Sequence, residues 1–208
     1  EWGPVRKGQR LQHVDLVQIA PSASLDDSVI FRCTKGVPDP LREFLEDPDV
    51  LKVVLGVMDA KVLWRSGVRL RGSVDLQVVV HILGCAASYH QSYGVGLADL
   101  YRNVCGCELQ KEQQRSDWSA EALSAAQTEY AAQDAVAALE VLRALGSRYL
   151  PATRSPYDLA CFFLDSFSVG SDGDLQRRNV RAAAASVRAR GDLPPGIAEA
   201  MTGAGFGG

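Results

Sequence analysis

Residues 116–135 read SDWSAEALSAAQTEYAAQDA, and their pattern sets the expectations for the rest of the chain. The Ala/Leu/Glu/Arg run that begins here predicts one long helix over Ser124–Leu150, stopped by Pro151. Tyr130 stands four residues before Asp134, one helical turn apart, so both side chains leave the same face. A carboxylate and a phenol aimed together from a rigid helix suit a metal ion and a water molecule. The competing reading is an ordinary half-buried pair on a helix.

Working outward from that helix, two strands are expected near the start. His13–Ala20 alternates, and Ser28–Thr34 is rich in β-formers. The turn-forming residues Pro21–Asp27 between them make the pair antiparallel. Pro40–Leu45 opens a short amphipathic helix with Asp39 as its cap. Leu51–Val57 is a nearly continuous apolar run that suits a strand buried on both faces. A helix from Asp59 to about Ser66, ending at Gly67, should follow, then a strand over Val68–Val74 and a helix over Leu76–Leu83. Tyr89–Gly94 reads as a loop and Gly96–Val104 as a helix. Strands first, then strands alternating with helices, indicate a mixed sheet flanked by helices. Two domains are expected, 1–150 and a C-terminal extension over 151–208. In the extension, Tyr157–Phe167 forms a helix packed back on the first domain. Ser168–Asp174 is a polar break, Gln176–Arg190 a basic helix and Gly203–Gly208 a flexible tail.

Composition narrows the function. The chain has 208 residues and a formal net charge of -3, which disfavours a protein whose whole surface clamps nucleic acid but leaves room for a local basic groove. No apolar run is long enough to span a bilayer. No signal peptide is visible and the first residue is Glu1, so the chain reads as part of a longer protein. The five cysteines are scattered and odd in number, which suggests a reducing, intracellular compartment. A mitochondrial or nuclear address is left open. Cys105 and Cys107 lack a second Cys/His pair at ligand spacing and read as packing or exposed thiols rather than zinc ligands. His13, His81 and His90 have no nucleophile motif beside them.

Three acidic positions accompany Tyr130: Glu1, Asp59 directly after the apolar strand, and Asp134. Carboxylates brought together repel unless cations sit among them, and hard oxygen ligands favour Mg²⁺ or Mn²⁺. Asp59 can equally serve as a helix cap after a strand, and Glu1 as a frayed terminus.

Ordered along the chain, Glu1-Trp2-Gly3-Pro4, Leu16-Val17-Gln18-Ile19-Ala20, Gly56 to Asp59, Asp75-Leu76-Gln77, Gly96-Leu97-Ala98-Asp99-Leu100 and Tyr130-x-x-x-Asp134 after Ser116-Asp117-Trp118 resemble the motifs of the DEDD-superfamily 3′–5′ exonucleases. The resemblance is to the Tyr-containing branch, similar to RNase D and the Werner syndrome exonuclease, and covers about Glu1–Leu150. It implies an α/β fold: an RNase H-like mixed β-sheet flanked by α-helices, with a C-terminal helical extension. It implies that Glu1, Asp59 and Asp134 ligate two Mg²⁺ or Mn²⁺ ions and that Tyr130 orients the attacking water. A single-stranded RNA or DNA 3′ end would be the substrate. Trp2 can stack on a base or pack beside the site. Lys111, Gln114 and Arg115 can contact the substrate backbone or be solvated. Asp75 fits a capping role. The family's first Asp falls two positions before Glu1, outside this chain. A second expectation follows from that departure and from Arg177, Arg178, Arg181, Arg188 and Arg190: a catalytically inactive exonuclease-fold subunit of a large RNA–protein assembly.

Overall fold

A computed structural model describes residues 14–85, 94–164, 166–170 and 173–206. Glu1, Trp2 and most of the loop expected over Tyr89–Gly94 lie outside the described residues.

The first strands are β1 (Leu16–Ile19) and β2 (Val29–Arg32), paired antiparallel with Leu16 opposite Arg32. Helix α1 (Asp39–Glu46) buries Leu41 and Leu45. It begins one residue before the expected start, and Pro38, not Asp39, occupies the cap position, with no capping side chain. Asp39 instead lies in the first turn, where a carboxylate favours the positive end of the helix dipole.

The apolar run 51–57 gives a strand of only three residues, β3 (Lys52–Val54). Lys52 is buried while Val53 and Val54 are half-buried, so the strand is not enclosed on both faces as expected. Its ammonium donates to the carbonyls of Phe44 (3.3 Å) and Asp47, which satisfies the buried charge. Gly56, at φ +88°, turns the chain straight into α2 (Val57–Arg65). β4 (Ser73–Asp75) pairs parallel with β3. Asp75 then caps α3 (Leu76–Ile82) by accepting from the Gln77 backbone N–H at 2.9 Å, the role its sequence context implied.

α4 (Leu97–Cys105) leads to α5 (Ala125–Tyr149), which is the long helix expected from the sequence. α5 packs against α4, β1, β2 and β3. The main core gathers residues of α3, α4 and α5 with Leu159, Phe162, Ala184, Ile197 and Met201, all from beyond residue 150. Tyr157 and its neighbours form a 3-10 helix over Pro156–Phe163 that packs on α5.

The polar break at 168–174 is in fact the middle of an antiparallel hairpin, β5 (Phe167–Val169) with β6 (Leu175–Arg177). The basic helix is shorter than expected, α6 (Val180–Arg188), because Gln176 and Arg177 belong to β6 and Asn179 caps the helix. α7 (Pro195–Gly203) follows with Ile197 and Met201 buried. Beyond it, Phe206 packs against His81 with ring centroids 5.8 Å apart. The described strands thus form three two-stranded sheets, parallel and antiparallel, flanked by helices.

Candidate active site

The N-terminal end of α5 is built by residues adjacent in sequence. Ser124 accepts from the Gln127 backbone N–H at 3.2 Å, and the Gln127 side chain accepts from the Ser124 N–H at 2.9 Å, closing a capping box. The same Gln127 donates through Nε2 to the Asp117 carbonyl at 3.1 Å. Asp117 in turn accepts from the Ser119 N–H and hydroxyl. Trp118, 1% exposed, is pinned beneath this loop and lies 5.9 Å from the Tyr130 ring. Leu16, Ile30 and Ala131 complete that cluster. Tyr130 is therefore buried to its ring on a helix whose start is fixed on both sides, and Asp134 sits half-buried one turn further on.

The opposite wall starts at Gly56. Its N–H donates to Asp75 Oδ1 at 2.7 Å, which fixes the turn from β3 into α2 and sets Asp59 in the first turn of that helix. Asp75 is fully buried. Burial pushes its carboxyl above the ordinary carboxylate range, although the Arg177 guanidinium and the Gly56 and Gln77 N–H groups pull it down.

Asp59, Tyr130, Asp134 and Gln114 all line one cleft of about 1010 Å³ between β1, β3 and α5. Gln77 also lines it, with Nε2 donating to the Val95 carbonyl at 3.0 Å. Gly56 and Gly94 press against the Gln77 amide: a Cβ on either would come within 3.3 Å and 2.4 Å of its nitrogen. Asp59, Tyr130 and Asp134, expected as metal and water residues, are thus brought together with Gln114, expected as a substrate contact. Lys111 and Arg115 are exposed and are not among the residues lining the cleft. Lys111 lies 3.8 Å from Asp99. Glu1 and Trp2 lie outside the described residues.

The donors in the cleft are carboxylate and phenol oxygens, without His or Cys, which is the chemistry a hard divalent cation prefers. Among the described residues no group of three or more His, Cys, Asp and Glu is placed to hold a metal ion. Asp59 and Asp134 fit such an ion in kind. Sequence reasoning passed over Gln77 and Gly56 as parts of the site. The signal was present in Asp75-Leu76-Gln77, of which Asp75 holds the Gly56 N–H and Gln77 packs its amide against Gly56, in the turn before Asp59.

An α/β domain with small sheets flanked by helices, and with acidic residues and a tyrosine lining one cleft, is the class of RNase H-like exonuclease domains. The sequence profile described as 3′–5′ exonuclease matches residues 1–149, and the chain belongs to that family, whose members generally depend on divalent metal ions. It is 33% identical to ribonuclease D of Pseudomonas paraeruginosa over 114 residues, 52% of this chain and 28% of the relative. The chain thus spans little more than a quarter of the curated relative's length. The Aedes aegypti Nibbler EXO domain superposes with a TM-score of 0.58 at 25% identity, covering 77% of this chain and 81% of that one. Escherichia coli RNase D shares the fold with a TM-score of 0.55 at 22% identity, covering 77% of this chain and 43% of that one. These relatives are described as nucleases or exonuclease domains, so the expectation of a structural subunit in an RNA–protein assembly gains no support from them.

Proposed function

We propose that this chain carries a divalent-metal-dependent 3′–5′ exonuclease that removes nucleotides from a single-stranded 3′ end, with RNA as the favoured substrate. The observation that carries the reading is the meeting of Asp59, Tyr130 and Asp134 in one cleft from elements more than fifty residues apart. The name ribonuclease D borne by the curated relatives supports RNA over DNA.

In this reading Asp59 and Asp134, with Glu1, hold Mg²⁺ or Mn²⁺. Two bound ions would supply a nucleophilic water and neutralise charge on the phosphodiester. The Tyr130 hydroxyl orients the attacking water by a hydrogen bond. The buried ring beneath it, fixed against Trp118, keeps that hydroxyl from wandering. Gln114 offers an amide to the substrate backbone from the cleft wall, and Lys111 and Arg115 beside it attract phosphate.

The test is full-length protein on 5′-labelled single-stranded RNA and DNA, with and without Mn²⁺, beside Asp134→Ala. The expected result is a metal-dependent ladder shortening from the 3′ end. In the variant it should fall by roughly a thousandfold, the several kcal/mol of charge stabilisation that an ion supplies. Equal cleavage by both proteins, or none by either, overturns the reading.

A further inference from the structure

No residue of the hairpin β5–β6 lines the cleft, yet the hairpin reaches the start of α2 through Asp75 and bonds the later part of that helix directly. At the N-terminal end, Arg177 Nε donates to Asp75 Oδ2 at 2.9 Å, and Arg177 Nη2 donates to Gln77 Oε1. The other oxygen of Asp75 accepts the Gly56 N–H at 2.7 Å, and Asp59 follows within the next turn. At the C-terminal end, Asp174 accepts from Arg65 at 3.1 Å and pairs with Lys61 at 3.4 Å. The backbone N–H of Asp75 is also bound, to Ser166 Oγ at 3.0 Å, just before the hairpin.

Arg177 was expected on a solvated basic helix. It is instead half-buried, with its guanidinium on a carboxylate that is 0% exposed. A buried carboxylate keeps its charge only with such a partner. If Arg177 is removed, Asp75 Oδ2 loses its partner, and a carboxyl that then takes a proton or rotates weakens the bonds by which Oδ1 holds the Gly56 and Gln77 N–H groups. Gly56 sits at φ +88°, a conformation fixed by its surroundings rather than by intrinsic preference.

We propose that Arg177 is a positioning residue for the metal-binding helix: through Asp75 it fixes the Gly56 turn, and so the direction in which α2 presents Asp59. The inference rests on the reading of Asp59 as a metal ligand. The planar fork reaches Asp75 and Gln77 together, which a lysine ammonium cannot reproduce at both places. The segment beyond residue 150 thereby becomes part of the machinery that sets metal affinity.

The experiment compares full-length parent, Arg177→Gln, Arg177→Lys and the exposed control Arg181→Gln. Mn²⁺ binding is measured by calorimetry, amide exchange is followed at residues 56–60, and thermal unfolding is recorded. Expected for Arg177→Gln is Mn²⁺ affinity weakened roughly tenfold, as for loss of an outer-shell partner, with faster exchange at 56–60. Arg177→Lys should fall between it and the parent, and Arg181→Gln should match the parent. If Arg177→Gln does not fold, the lysine variant carries the comparison. A lowered melting temperature with unchanged Mn²⁺ affinity and unchanged exchange at 56–60 would reduce Arg177 to a structural brace and overturn the proposal. A parent that binds no Mn²⁺ would instead sink the metal reading beneath it. Exchange at 56–60 then still decides whether Arg177 fixes the turn.

Discussion

The two walls of the cleft are held in opposite ways. Tyr130 and Asp134 stand on a helix whose start is tied down by near neighbours: Ser124 and Gln127 bond reciprocally, and Gln127 reaches back ten residues to Asp117. Asp59 stands on a helix whose start depends on Asp75, 19 residues on from Gly56, and on Arg177, 102 residues beyond Asp75. The start of the first wall's helix is fixed by residues close to it in sequence, with Leu16 and Ile30 packed against the Trp118–Tyr130 cluster. The second requires the sheet, α3 and the C-terminal hairpin to be assembled together. Local support resists change at a distance, whereas long-range support lets remote residues tune the site.

The largest break in this contrast is expected at Trp118. Trp118→Ala removes a ring that is 1% exposed and would ordinarily cost about 3–5 kcal/mol. Its indole N–H, however, is buried without a hydrogen-bond partner among the described residues. Removing that donor returns part of the loss, leaving a net destabilisation of about 2–3 kcal/mol. Urea unfolding checks the magnitude. Activity should fall through Tyr130 more than Mn²⁺ affinity does, because Trp118 packs on the Tyr130 ring while Asp134 lies a full turn further along the helix and Asp59 on the other wall.

Gly56→Ala tests the other wall. A side chain at φ +88° is strained by about 1–2 kcal/mol, and its Cβ would press on the Gln77 amide at 3.3 Å. The expected signature reverses that of Trp118→Ala: a smaller loss of stability with weakened Mn²⁺ binding. Identical signatures from the two variants would remove the distinction between the walls.

The smallest effect belongs to Asp174. Partial burial pushes its carboxyl up, but the Leu175 N–H and the Lys61 and Arg65 cations outweigh this and hold it below the ordinary carboxylate value. A depressed folded-state pKa means that the stabilisation is fully present above the ordinary carboxylate pKa. It is lost as pH falls through the lower folded value. Asp174→Asn should therefore slightly lower the melting temperature at neutral pH and converge on the parent in strong acid.

Legibility in the sequence followed the same division. The long helix, its Ser124 start and the Tyr130–Asp134 pair could be read because capping and 3.6-residue periodicity are local signals. The antiparallel pair β1–β2 was equally legible from its intervening turn residues. β3 was overestimated, since the apolar run 51–57 gives no sign that Gly56 will be pulled aside by Asp75. The β5–β6 hairpin was hidden in polar, Gly-containing sequence because its strands are three residues each, too short for alternation to show. Arg177 looked like one more cation in a basic stretch. Its partner is identified only by a fold that brings β6 beside β4. α7 was missed although Pro195 at its first turn and the four-residue spacing of Ile197 and Met201 were visible marks of a short amphipathic helix.

The most direct measurement is a calorimetric Mn²⁺ titration of full-length protein beside Asp59→Ala and Asp134→Ala. One site built from two walls predicts that each substitution alone weakens binding strongly, although the two residues come from different elements with separate supports. Parent-like Mn²⁺ binding by either variant would contradict a shared metal site in the cleft.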